Sequence, residues 1–292
     1  MGKFRFDDYG GFVQETPFDF AKHSSIGCGG KAAIAFYPKN VAETSALLQK
    51  LQKDGIEYCV LGNLTNVLPF DSDTDKAVVC TKDINGIMLT EKGVFAYAGV
   101  TSGVLLRFCK QNARTGAEFL QGIPCTLGGA LFMNAGVGGR YIADIVEKVL
   151  IYRDGELLSL NAAECGYAYK KSIFMQNGDV ILGASLLLEK ASEREIEEKE
   201  KFYADRRAHL PKGRSMGCVF KNPDGEFAGD LIERSGLKGL RLGGAYVSGQ
   251  HANFIINDGT CQASDVETLI GIIKNTVFAQ YGVRLEEEIR RI

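Results

Sequence analysis

The chain has 292 residues, 45% hydrophobic and 24% charged, with a net charge of −2. That length holds two or three domains of ordinary globular composition. A balance so near neutral gives no case for nucleic acid or an anionic membrane surface as the main partner.

No apolar run approaches the ~20 residues of a membrane span. The start, Met1-Gly2-Lys3-Phe4-Arg5-Phe6, has no signal-peptide core, and Phe6 stands where a myristoylation start has Ser or Thr. Cys28, Cys59, Cys80, Cys109, Cys125, Cys165, Cys218 and Cys261 form no Cys-x-x-Cys pair. No metal site is therefore expected, and most read as buried thiols.

Residues 1–22 show no period and read as a lead-in. Residues 32–37 are a short apolar strand. Asn40, with Glu43 three later, opens a helix whose stripe is Ala46, Leu47, Leu48 and Leu51, and Gly55 ends it. Strands at 58–61 and 77–80 complete a small α/β segment over roughly 20–85. Residues 87–90 and 94–98 flank Glu91-Lys92-Gly93 as a hairpin. Ser102 starts a helix through Val104, Leu105, Leu106, Phe108 and Cys109, stopped near Gly116. Strands at 146–152 and 157–160 surround Asp154-Gly155, and an apolar run covers 180–188. Residues 190–207 are dense in Glu, Lys and Arg and read as a solvated helix.

A third segment begins near Leu210-Pro211. A short strand at 217–220 runs into the turn Asn222-Pro223-Asp224-Gly225, and a brief helix around 230–233 ends at Gly236. A strand at 254–257 precedes the capping box Ser264-x-x-Glu267. The helix after it is expected to bury Val266, Leu269, Ile270, Ile273, Val277 and Phe278. No repeat or low-complexity tract is present.

Residues 121–140 concentrate glycine: Gly122, Gly128, Gly129, Gly136, Gly138 and Gly139, punctuated by Pro124, Thr126 and Asn134. Clustered glycines turn backbone N–H groups outward into a concavity suited to phosphate oxygens. A plain surface loop is the competing reading. The spacing is neither a P-loop nor the Gly-x-Gly-x-x-Gly fingerprint. Gly62-Asn63-Leu64-Thr65-Asn66 follows a strand and offers a second such turn, which on its own reads more readily as an ordinary strand end.

Gly122-Ile123-Pro124-Cys125-Thr126-Leu127-Gly128-Gly129-Ala130, followed by Met133-Asn134-Ala135-Gly136, resembles the flavin-contacting segment of the UDP-N-acetylenolpyruvoylglucosamine reductase family. The resemblance covers residues 23–291 and is most specific in the last third. It implies FAD binding by Gly62, Asn63, Leu64, Thr65, Asn66, Ile123, Pro124, Thr126, Gly128, Gly129, Asn134, Ala135 and Gly136. The 62–66 turn departs from the family at Leu64, usually glycine, and at Thr65, usually serine. A side chain at Leu64 disfavours positive φ, which implies weaker FAD binding if the backbone there is left-handed. Cys125 likewise stands at a usual glycine.

Tyr169-Lys170-Lys171-Ser172 resembles the family's Tyr-Arg-x-Ser, which puts Lys170 at the catalytic arginine. Lysine keeps the charge and loses the bidentate fork. Without the family it would be an exposed lysine. Gly217-Cys218-Val219-Phe220-Lys221-Asn222-Pro223 resembles Gly-Ser-x-Phe-Lys-Asn-Pro, with Cys218 at the proton-donating serine. An isolated thiol titrates near ~8.5, so it can give up a proton near neutral pH. A buried structural cysteine is the alternative. At the chain end, Glu288 falls on the catalytic glutamate, with Glu286 and Glu287 facing solvent. Tyr169, Lys221 and Asn222 are the implied substrate contacts. His251, one of three histidines, reads as structural or supporting.

The implied protein is α+β. A bipartite FAD-binding fold of the vanillyl-alcohol-oxidase (PCMH) type would occupy 1–86 and 87–208, and an α+β substrate domain 209–292. The shorter subgroup of the family is implied by the length and by the interval from Tyr169 to Pro211. The implied activity is NADPH-dependent reduction of the enolpyruvyl ether of a UDP-sugar in peptidoglycan synthesis. The enzyme would be cytoplasmic and monomeric. Because Leu64, Lys170 and Cys218 depart from the family, two other readings stay open. One is a divergent paralogue that binds flavin or nucleotide in a regulatory role. The other is a flavin oxidoreductase for another nucleotide sugar.

Overall fold

The computed structural model describes residues 6–292, so the reading of residues 1–5 lies outside the described part. The chain forms two compact units. One takes the residues up to Pro17 with Ala33–Gly62 and Asp75–Arg207; the other takes Phe18–Ala32, Asn63–Thr74 and Ala208–Ile292.

The first unit includes most of β1 (Lys31–Phe36), α1 (Val41–Lys53), β2 (Tyr58–Leu61) and most of β3 (Thr74–Cys80). The strands lie in the order β1-β3-β2, and β2 runs parallel to β3. Asn40 Oδ1 accepts the Glu43 amide at 2.9 Å, closing the expected cap. The buried stripe of α1 is Thr44, Leu47, Leu48 and Leu51, while Ala46 is exposed. Those four stand at i, i+3, i+4 and i+7, and Ala46 falls off that face.

A second sheet is built from β4 (Ile87–Thr90) and β5 (Gly93–Tyr97), which close on Glu91-Lys92. Next come α2 (Ser102–Gln111) and α3 (Leu127–Met133). The cap of α2 is Thr101 rather than Ser102: its hydroxyl accepts the Val104 amide at 3.4 Å. The helix ends at Gln111, short of Gly116, and Val104 faces solvent.

Strands β6 (Val146–Arg153), β7 (Glu156–Asn161) and β8 (Val180–Leu187) finish an antiparallel sheet ordered β7-β6-β8-β5-β4. Asp154 and Gly155 join β6 to β7 with φ of 48° and 93°. That is the left-handed pair a two-residue hairpin requires. Val149, Ile151 and Ala184 of this sheet pack with Leu105, Leu127 and Leu131 of α2 and α3. The charged helix α4 (Glu193–Arg207) keeps only Ile196 buried.

The second unit contains α5 (Ala228–Arg234), a sheet of β9 (Arg241–Leu242), β10 (Ala245–Val247) and β11 (Ile255–Asn257), and α6 (Ala263–Tyr281). Val266, Leu269, Ile270, Ile273 and Val277 of α6 pack with Ile26, Leu68 and Leu231. Phe278 is instead 44% exposed, with the Arg284 guanidinium 4.7 Å over its ring.

The cap of α6 is Gln262 with Asp265, not Ser264 with Glu267. Asp71 adds to it: its carboxylate accepts the Ala263 and Ser264 amides at 2.7 and 2.9 Å. These amides have no partner within the helix, and the helix dipole favours an anion there. Residues 217–220 make two isolated bridges, Cys218 to Phe254 and Phe220 to Glu287, rather than the expected strand. Among the described residues no helix is long and apolar enough to cross a membrane. Cys28, Cys80, Cys109, Cys165 and Cys261 are buried thiols, and Cys59, Cys125 and Cys218 are half-buried.

Candidate active site

In the first unit the glycine-rich stretch is largely helix. Thr126 is the N-cap of α3, its hydroxyl accepting the Gly129 amide at 3.3 Å. The amides of Leu127 and Gly128 donate to Val100 and Ala98. These N–H groups are therefore spent on holding α3 against the end of β5, not turned outward as expected. A Cβ at Gly128 would press on Ala98, and one at Gly62 would collide with the Thr126 hydroxyl. Both glycines allow close approach of chain to chain. Ile123 accepts from the Ser102 hydroxyl, and the Cys125 amide donates to Ile123 at 2.9 Å. Burial pushes the Cys125 thiol up to about 11.

Helix α3 ends at Asn134, buried and left-handed at φ 44°. Its Nδ2 donates to Ala168 O at 2.8 Å, and its Oδ1 accepts the Ala143 amide at 3.2 Å. The Ala135 amide donates to Ala130, and Gly136 pairs with Tyr141. Ala168 and Lys171 exchange main-chain bonds around Tyr169-Lys170, a tight turn with Lys170 at φ 53°. The Tyr169 ring meets Tyr141 edge-on at 6.3 Å. Ser172 Oγ donates to Phe132 O at 2.6 Å. Asn134 and Lys170 thus belong to one connected cluster.

The second unit holds the other candidates. The 218–221 segment runs between two partners. On one side Val219 N donates to Asn253 O, and the Asn253 side chain bonds both the N–H and the C=O of Phe220, each at 2.8 Å. On the other, Glu288 N donates to Val219 O and Lys221 N to Glu286 O, both at 2.8 Å. Cys218 and Glu288 are brought together on neighbouring backbone runs, and both are half-buried. The 63–66 turn joins them: Asn66 Nδ2 donates to Glu288 O at 3.2 Å, and Arg290 N to Asn66 O at 2.9 Å.

Leu64 in that turn is buried and left-handed, at φ 48°. A left-handed residue swings successive amides to one side. Among the described residues, the amides of Leu64 and Thr65 meet no protein acceptor. Unpaired N–H groups in a turn suit a phosphate, so the residues of this turn fit the diphosphate of a dinucleotide.

Lys221 Nζ pairs with Glu286 at 3.2 Å, and Asn222 Oδ1 accepts the Ala228 amide at 3.0 Å, capping α5. Glu286 is exposed, as expected; Glu287 is not. It is only 20% exposed and takes Lys274 and Arg291 at 3.1 Å each. His251 is structural: its Nδ1 accepts the Asn253 amide at 3.2 Å, and its ring lies 5.1 Å from Phe254. Burial holds its pKa below the usual value. Sequence reasoning missed Asn253, although it lies two residues beyond His251.

Residues 32–161 match an FAD binding domain family, and residues 208–292 match a family described as UDP-N-acetylenolpyruvoylglucosamine reductase, C-terminal domain. With the observed elements, the first match defines an α+β flavoprotein with the bipartite FAD-binding fold of the vanillyl-alcohol-oxidase type. The reductase of Clostridioides difficile (strain 630) is 37% identical over 273 residues, 92% of this chain and 90% of that protein. That of Syntrophobacter fumaroxidans is 38% identical over 294 residues, 96% of this chain and 85% of that protein. The crystal structure of the Thermus caldophilus reductase matches with a TM-score of 0.84 and 31% identity, covering 96% of this chain and 99% of that one. The chain belongs to the UDP-N-acetylenolpyruvoylglucosamine reductase family.

Proposed function

We propose that this chain reduces the enolpyruvyl ether of UDP-N-acetylglucosamine enolpyruvate to UDP-N-acetylmuramate, with FAD as cofactor and NADPH as co-substrate. The reading rests on one observation: a family match over nearly the whole chain coincides with Cys218 and Glu288 on paired backbone runs. The relatives do not favour a regulatory paralogue or another nucleotide sugar.

FAD, when bound, would supply the hydride-transfer chemistry that links NADPH oxidation to reduction of the ether. The 63–66 turn offers N–H groups to its diphosphate. Residues 122–136 shape the other part of its site through close backbone approach. Lys170 offsets the negative charge that develops on the enolpyruvyl group as hydride arrives, and Glu288 polarises the ether or shuttles a proton. Cys218 Sγ gives its proton to the adjacent carbon and regains one from solvent, so that a hydride and a proton add across the double bond. Tyr169, Lys221 and Asn222 contact the substrate; for Lys221 this means sharing its ammonium with Glu286. The functional division follows as 1–86 and 87–208 for FAD and 209–292 for the UDP-sugar. The enzyme works as a cytoplasmic monomer without nucleic-acid partners.

The test follows NADPH oxidation by the purified holoenzyme with and without the enolpyruvyl substrate, with product identified by mass. Substrate-dependent oxidation that yields the saturated lactyl ether is expected. Flavin-loaded protein that leaves the substrate unchanged contradicts the reading.

A further inference from the structure

We propose that Asn134 is a positioning residue for Lys170, acting through the 168–171 turn. The inference rests on the reading of Lys170 given above. The side chain of Asn134 is buried, and both its ends are committed to protein: Nδ2 to Ala168 O at 2.8 Å and Oδ1 to Ala143 N at 3.2 Å. Ala168 is the first residue of the turn that carries Tyr169 and Lys170. Ser172, just beyond the turn, is fixed to Phe132 O at 2.6 Å. The turn is therefore held at both ends by the C-terminus of the glycine-bearing helix α3.

The need for such a hold lies in the turn itself. Lys170 is left-handed at φ 53°, where a non-glycine residue is disfavoured. The two main-chain bonds between Ala168 and Lys171, at 3.2 and 3.0 Å, close it but do not orient it against the rest of the unit. Asn134 supplies that orientation at the Ala168 end, as Ser172 does at the other. A lysine that meets a developing charge must be held close to its productive geometry, and small displacements are costly in rate.

The left-handed backbone of Asn134 allows a clean test. Glycine and aspartate both tolerate φ 44°, so Asn134→Gly and Asn134→Asp keep the end of α3 while removing the donor to Ala168. Aspartate also keeps an acceptor for Ala143. Holoenzymes of both variants, of Lys170→Ala and of the Asn134→Gly, Lys170→Ala double variant are reduced by NADPH and then mixed with substrate in single turnovers.

In both Asn134 variants, at equal flavin occupancy, the substrate step is expected to slow by ~10-fold or more relative to flavin reduction measured on the same sample. In the Lys170→Ala background the Asn134 change should add almost nothing. Independently of turnover, the amides of Ala168 and Lys171 should exchange with solvent ~10-fold faster in both Asn134 variants. A substrate step left intact by both Asn134 variants, or an effect that multiplies with that of Lys170→Ala, overturns the proposal. If Lys170→Ala itself leaves the substrate step unchanged, the reading of Lys170 fails; the exchange rates then still decide whether Asn134 holds the turn.

Discussion

The main-chain amide of Glu288 donates to the carbonyl of Val219 at 2.8 Å, one residue along from Cys218. Residues 70 apart in sequence are thereby fixed as neighbours through backbone. Their relative placement does not depend on either side chain, so each can be replaced without moving the other.

Cys218→Ala should therefore spare reduction of the flavin by NADPH and slow the substrate step by ~10²-fold or more. Cys218→Ser should recover much of that rate, since a hydroxyl can occupy the same place. Separate stopped-flow measurement of the two half-reactions checks this. Equal losses in both would refute the thiol as proton donor.

Asn253 clamps Phe220 on both backbone groups and is 3% exposed. Asn253→Ala leaves a buried N–H and C=O without partners, at about 2–4 kcal/mol of stability. Urea unfolding should show that loss.

Leu64 sets two effects against each other. Its left-handed backbone costs about 1–2 kcal/mol, which glycine would recover. Its side chain is 3% exposed, and removing a buried leucine costs about 2–5 kcal/mol. Burial wins, so Leu64→Gly should lower stability in denaturant unfolding, even though glycine is the residue more usual in the family. A more stable variant would mean that the side chain contributes little to packing.

Asp71 gives a pH prediction. Burial pushes its carboxyl up, but the Ser264 and Ala263 amides outweigh that and hold it below its ordinary value. A depressed folded pKa stabilises above the unfolded value, near ~3.9, and that contribution fades as pH falls through the folded pKa. Asp71→Ala should thus cost about 0.5–2 kcal/mol at neutral pH and progressively less below about pH 4. Thermal unfolding of both proteins across pH measures the difference.

How much of this was legible in the sequence follows from the range of the forces involved. Asp154-Gly155 and Asn40 with Glu43 are local signals, and the hairpin and the cap formed as read. Helix α3 was hidden because Gly128 and Gly129 are poor helix formers; contact with Ala98 and the cap from Thr126 override that propensity. Asp71 caps a helix 192 residues away, so the local pattern Ser264-x-x-Glu267 pointed to the wrong box. Phe278 has helical spacing but lies at the exposed end of its helix under Arg284. The catalytic candidates were legible only through the family, since a lone lysine, thiol and glutamate have no chemistry of their own until the fold gives them neighbours. The left-handed backbone at Leu64 was raised as a question by the sequence and answered by the φ of 48°.

The central claim is that Cys218 protonates the carbon beside the one that receives hydride. A single turnover of the NADPH-reduced holoenzyme with substrate in heavy water tests it most directly, with product analysed by mass and NMR. The account predicts one deuterium at the protonated carbon and protium from NADPH at the other, with the deuteration step slowed in Cys218→Ala. Deuteration at an unchanged rate in Cys218→Ala, or a product without solvent deuterium, would contradict it.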